Sequence, residues 1–197
     1  AIPAKQLVKL AAEMHMPAVA LTDTDNLFGG LEFSFAALDA GVQPIIGAQL
    51  TIKLDGGEQG RARAMFDDGG LVVLAQNDAG YRNLLTMLKI AYMDSEDALR
   101  PGVTPEELCA HADGLILLSG GADGALGRLL RMGRRDEAAG FLDALRVAFD
   151  GRLYIEIQRH GMPEERATEP QFIDWAYAHN LPLVATNEPF FVGPEFH

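Results

Sequence analysis

One phrase recurs three times along this chain: an amphipathic run, one or more polar or glycine residues, then a proline that leads into apolar residues. The copies are Met16-Pro17-Ala18-Val19-Ala20-Leu21, Val42-Gln43-Pro44-Ile45-Ile46 and Asn180-Leu181-Pro182-Leu183-Val184-Ala185. Proline cannot continue a helix and biases its predecessor toward extended geometry, so each phrase predicts a helix stop followed by a strand start. Short apolar runs bounded by Gly, Asp or Asn add strands at Leu71–Ala75, Gly114–Leu118 and Arg152–Ile157. Helical patterning falls at about Ile2–Met14, Leu31–Ala40, Asp78–Tyr92, Ala125–Met132, Arg135–Phe149 and Pro163–His179, and Thr104-Pro105-Glu106-Glu107 reads as a capped helix start. Strands alternating with helices imply a parallel α/β sheet or barrel, in which ligands bind at the carboxyl ends of the strands.

Composition bounds the rest. A chain of 197 residues suits one well-buried domain, and no apolar stretch reaches the ~20 residues of a membrane helix. The lone Cys109 excludes a disulfide framework, implies a reducing compartment and reads as a small core residue. A net charge of −12 argues against direct nucleic-acid binding, which draws its affinity from clustered Lys and Arg. Arg128, Arg131, Arg134 and Arg135 do gather locally, but Asp136 and Glu137 follow, and a solvated helix face accounts for the run. The chain starts at Ala1 without an initiator methionine and stops at Phe196-His197 without an element to finish on, so a fragment is expected.

Several polar groups invite chemistry and have simpler explanations. Asp55 to Gly70 is glycine-rich and polar, which predicts an exposed hairpin or loop. Ser119-Gly120-Gly121-Ala122-Asp123-Gly124 lacks the spacing and lysine of a P-loop and reads as a strand-to-helix turn capped by Asp123. The pairs Asp23 with Asp25 and Asp67 with Asp68 fit capping and solvation better than acid-base work. His15, His111 and His179 fall at helix ends, and Trp175 with Phe172 and Ala176 marks a core face.

The order of segments resembles the PHP (polymerase and histidinol phosphatase) domain family, in the form found at the front of bacterial DNA polymerase III alpha subunits. The stretches that carry it are Ala20-Leu21-Thr22-Asp23 through Asn26-Leu27-Phe28-Gly29, Gly80-Tyr81-Arg82-Asn83-Leu84, Gly114-Leu115-Ile116-Leu117-Leu118-Ser119-Gly120-Gly121 and Val184-Ala185-Thr186-Asn187-Glu188. The resemblance implies an irregular TIM-like α/β barrel of the PHP type over residues 1–197, here without the family's first, His-x-His strand and without the polymerase domains.

Metal-binding members of that family line the barrel with His, Asp, Glu and sometimes Cys, which hold divalent ions that activate water for attack on a phosphoester. The resemblance places this chain's residues at those positions with most ligands replaced. Asp23 remains, while Thr24 stands for His, Gln49 for Glu, Gly70 for His and Gly121 for Cys; in the closing motif Glu188 stands for Asp and Phe190 for His. Thr24, Gln49, Gly121 and Phe190 offer neither the anionic nor the imidazole ligands that a divalent ion needs. A degenerate, metal-free site with no catalytic residue is therefore expected, with His160 a possible cleft residue at a strand end.

On that resemblance the domain is a scaffold with no cofactor of its own, within a cytoplasmic DNA-directed DNA polymerase that would use Mg in its other domains. Its partners would be those domains and the separate proofreading exonuclease subunit, with no membrane. The alternatives are an active metal-dependent PHP exonuclease or phosphoesterase using the family's first strand together with Asp23, His160 and Glu188, and an unrelated barrel enzyme whose substrate closes over Gly120-Gly121.

Overall fold

The computed structural model describes residues 2–54, 68–94, 101–187 and 189. Six strands form one sheet: β1 (Ala18–Leu21), β2 (Gln43–Ile52), β3 (Gly69–Ala75), β4 (Leu115–Leu118), β5 (Leu153–Ile157) and β6 (Leu183–Ala185). Seven α-helices intervene among the described residues: α1 (Ala4–Glu13), α2 (Gly30–Asp39), α3 (Asp78–Lys89), α4 (Pro105–Ala110), α5 (Ala125–Arg131), α6 (Arg135–Ala148) and α7 (Pro163–Ala178). The proline phrases do end helices and start strands. β1 and β6 each begin one residue after their proline, and Pro44 is the second residue of β2.

The strand order is β1-β2-β3-β4-β5-β6, which makes a curled half-barrel. β1 and β6 do not pair with each other among the described residues, so each leaves a free edge. A closed TIM-like barrel is therefore not what these residues build, because closure requires the last strand to bond the first. The expected all-parallel arrangement is also corrected. β3 runs antiparallel to both β2 and β4, with Thr51 opposite Gly70 and Val73 opposite Leu117, while β1/β2, β4/β5 and β5/β6 are parallel. Most of the Asp55 to Gly70 segment lies outside the described residues, but Gly69 and Gly70 open β3 rather than a loop.

Local signals fix the helix ends. Asn77 caps α3 by accepting from the Gly80 amide at 3.0 Å, and Thr104 and Glu107 form a reciprocal capping box on α4. α3 passes into a π turn at Ile90–Asp94 where a longer α-helix is expected. Asp123 does not cap α5: Gly124 takes that place, and the Asp123 carboxylate pairs with Arg131 at 2.7 Å. Cys109 is half-buried against the main core, where burial first and the nearby Glu106 second push its thiol pKa up. His111 bonds the Glu107 carbonyl at 2.8 Å, as a helix-end histidine should.

The main core lies between the sheet and α3 to α7, with Leu50, Ile52, Leu71, Leu84, Met87, Leu117 and Phe149 fully enclosed. Phe172 and Trp175 join it edge to face, with ring centroids 5.9 Å apart. A smaller cluster of Val8, Ala11, Phe33, Ala37 and Val42 seats α1 and α2. Arg152 joins helix to sheet, donating to the Ala112 carbonyl at 2.6 Å and the Leu115 carbonyl at 2.7 Å.

Two glycines in helices contrast sharply. A Cβ on Gly80 would overlap the Gly114 carbonyl, whereas one on Gly140, in the middle of α6, would meet nothing within 4 Å. Gly80→Ala should therefore destabilise the fold by about 1–3 kcal/mol through forced backbone displacement. Gly140→Ala should stabilise it by about 0.5–1 kcal/mol through helix propensity. Denaturant midpoints at unchanged m-value measure both.

Candidate functional site

The site is built where β1, β2, β4, β5 and β6 end and β3 begins. After β1 the chain turns through Asp25, a non-glycine residue held in the left-handed region at φ 52°. Its amide donates to the Gln49 carbonyl at 2.9 Å, and the Gln49 amide donates to the Asp23 carbonyl at 3.2 Å. The Asp25 carboxylate is buried and accepts from the Thr51 amide at 2.8 Å and the Thr51 hydroxyl at 2.6 Å. Thr24 bridges Gln49 on the same edge, while the side chains of Asp23 and Thr24 face solvent. The two aspartates thus differ: Asp25 is a buried clasp rather than a solvated cap, and Asp23 is exposed.

Neighbouring side chains crowd Gly70 and Gly121, the two glycines that the family resemblance sets at ligand positions. A Cβ on Gly70 would overlap the Gln49 amide nitrogen and lie 2.9 Å from its Cγ and Cδ. A Cβ on Gly121, whose φ is 58°, would lie 3.1 Å from the Gln158 side-chain oxygen. Gln49 therefore occupies the space that a side chain at position 70 would need, and Gln158 closely flanks position 121.

Glu156 lies at the centre. It is 3% exposed on β5, and its carboxylate accepts from the Gly120 amide at 2.8 Å, from the Thr186 hydroxyl and from the Gln158 amide at 3.4 Å. Its own amide donates to the Ser119 hydroxyl at 2.8 Å. The structure thus brings together the ends of β4, β5 and β6 around one carboxylate.

His160 sits just beyond β5, beside an open trough of about 570 Å³ lined by Ile157, Arg159, His160 and residues 183–187. Its Nδ1 lies 2.7 Å from the Glu165 carboxylate and its Nε2 lies 2.5 Å from the Asn187 side-chain oxygen. Glu165, the third residue of α7, also accepts from the amides of His160, Gly161 and Met162 at 3.1, 2.9 and 3.0 Å. Burial acts to raise the Glu165 pKa, but hydrogen bonds from the His160 amide and ring and from the Met162 and Gly161 amides outweigh it and hold the carboxyl below its ordinary value.

Among the described residues no group of three or more His, Cys, Asp or Glu is placed to hold a metal ion. Gln49 offers an amide and the two glycines offer no side chain. Glu188 and Phe190 lie outside the described residues, as does Asp67; Asp68 accepts from the Leu54 amide at 3.2 Å.

Sequence reasoning passed over Glu156 and Glu165 and underrated Asp25. Glu156 had a legible signal, a lone carboxylate inside the apolar run Leu153-Tyr154-Ile155-Glu156-Ile157. Glu165 had one too, three residues after Met162 at a Pro-led helix start.

The half-barrel and its strand-end site define a class. The chain belongs to the PHP domain family, whose profile matches residues 1–160. It is similar over its whole length to DNA polymerase III subunit alpha of Caulobacter vibrioides, at 47% identity, and of Rickettsia bellii, at 35%. It is also 37% identical to the Escherichia coli subunit over 94% of the chain. The chain spans only 15–17% of the length of these relatives.

Solved structures support the fold alone. An amidohydrolase from Chromobacterium violaceum aligns with TM-score 0.58 at 13% identity, over 94% of this chain and 81% of that one. A candidate metal-dependent phosphoesterase from Bifidobacterium adolescentis aligns with TM-score 0.54 at 16% identity, over 92% and 80%.

The Glu165 environment gives a pH prediction. A carboxyl with a depressed folded-state pKa contributes stability above its unfolded pKa and loses it as pH falls through the folded value. Stability should therefore decline from the ordinary glutamate range, about 4.3, downward. Glu165→Gln should be less stable than the parent at neutral pH and should lose less on acidification over that window, as read by thermal unfolding at stepped pH.

Proposed function

We propose that this chain is the PHP domain of a DNA polymerase III alpha subunit and that the domain itself is a scaffold without a metal. The observation that carries the first part is similarity along the full chain to alpha subunits from several bacteria. On this reading the longer polypeptide performs Mg-dependent, DNA-directed DNA synthesis in the cytoplasm. This domain would pack against its other domains and dock the proofreading exonuclease subunit. The net charge of −12 fits protein contacts better than unaided contact with DNA. The free edges of β1 and β6 fit a barrel completed by a further strand between them.

The scaffold part rests on the filled ligand positions. Gln49 packs over Gly70, Gln158 over Gly121, and Glu156 is engaged by Gly120 and Thr186. The vestigial positions Asp23, Thr24, Gln49, Gly70, Gly121, Glu188 and Phe190 then carry no catalysis. His160 is a clasp between Glu165 and Asn187 rather than an acid-base group.

Elemental analysis of the dialysed protein should find no stoichiometric zinc, manganese or iron. Phosphoester and single-stranded DNA hydrolysis should be absent and unaffected by Asp23→Ala. Metal-stimulated cleavage that copurifies with the protein and vanishes in Asp23→Ala would establish the enzyme reading instead. Deleting the domain from the complete alpha subunit should abolish exonuclease-subunit binding. Retention of both that binding and polymerase stability would defeat the scaffold reading.

A further inference from the structure

α2 buries one side and leaves the other unpartnered among the described residues. Gly30, Phe33 and Ala37 face inward, while Leu31, Phe35 and Leu38 are 72%, 62% and 65% exposed. Phe28, just ahead of the helix, is 93% exposed. At 3.6 residues per turn Leu31, Phe35 and Leu38 fall on one stripe, opposite the buried side, and Phe28 lies in the turn just ahead of it. Single exposed apolar residues are ordinary, but a continuous stripe with Phe28 just ahead of it marks an interaction surface.

We infer that this stripe seats another part of the same longer polypeptide, through a surface with an apolar centre and basic side chains at its rim. The inference rests on the reading that the chain is one segment of an alpha subunit, since it spans 17% of the Caulobacter vibrioides relative. α2 carries no basic residue, and its acidic residues Glu32 and Asp39 lie beside the stripe. Glu32 is met by Lys5 at 3.2 Å on the α1 side. A symmetric contact with a second copy would bring Glu32 and Asp39 toward their own images, and like charges oppose that.

Size points the same way. Four side chains fall short of the roughly 800 Å² per partner that a specific complex between free proteins buries. A covalently tethered surface needs less, because tethering supplies an effective concentration on the order of millimolar.

The test uses the complete alpha polypeptide, with limited proteolysis at the junction after this segment. Phe35→Lys, and separately Leu31→Lys, should speed release of the segment about tenfold, because cleavage follows the population of the undocked form. Val147→Lys, at an 82% exposed position on α6, should leave release unchanged. Both stripe positions lie outside the core, so the variants should fold, and Leu38→Ser provides a milder third variant. Parental release rates in all three would overturn the inference. So would a dimer by light scattering that Phe35→Lys dissociates, which would assign the stripe to a second copy. Primer extension by the same parental preparation separates the two levels: its absence would count against the polymerase reading, whereas unchanged release with extension intact counts against the docking inference alone.

Discussion

A single buried carboxylate organises the strand ends on which everything else depends. Glu156 stands at 3% exposure in a strand otherwise made of Leu, Tyr and Ile, where an unpaired charge would be costly. It is tolerated because each face of the carboxylate finds a donor: the Gly120 amide from the β4 turn on one oxygen, the Thr186 hydroxyl and Gln158 amide on the other. Three strand ends that share no sequence neighbourhood are thereby locked in register. Removing the carboxylate would leave several donors unpaired at once, which is the expensive direction of hydrogen-bond loss. Asp25 plays the matching role on the other side of the sheet, joining the turn after β1 to Thr51 on β2.

Most elements were legible because their signals are local. Proline phrases, apolar runs bounded by glycine, and the Thr104 to Glu107 box act within a few residues, and the structure places helices and strands within a few residues of the expected bounds. What failed was pairing. The apolar run Leu71–Ala75 carries no mark of its direction, and the alternation of helices and strands suggested a parallel neighbour. The sequence between β2 and β3 carries no helical pattern and was the better guide, since parallel neighbours need a crossover and only antiparallel ones are joined by a hairpin. The open edges of β1 and β6 are equally invisible locally, because closure depends on how many strands share the sheet.

At the site the contacts were not legible in the sequence. Thr24, Gln49, Gly70 and Gly121 could be read as ligand types exchanged for other types, but not that Gln49 lies over Gly70 or that Gln158 lies against Gly121. Those contacts cross from one strand to its neighbour and from β5 back to the β4 turn. No spacing in the sequence encodes them. Asp25 illustrates the same limit: beside Asp23 it resembles half of a carboxylate pair, yet the turn sends one side chain into the protein and the other into water.

This packing makes the substitutions interdependent. A side chain at position 70 collides with Gln49 unless Gln49 moves, and any side chain at position 121 must accept a left-handed backbone and press on Gln158. Effects of substitutions at such contacting positions are not expected to add. The half-barrel is thus held at its strand ends by hydrogen bonds and packing. Glu156 and Asp25 supply the hydrogen bonds there, and Gln49 and Gln158 the side-chain packing.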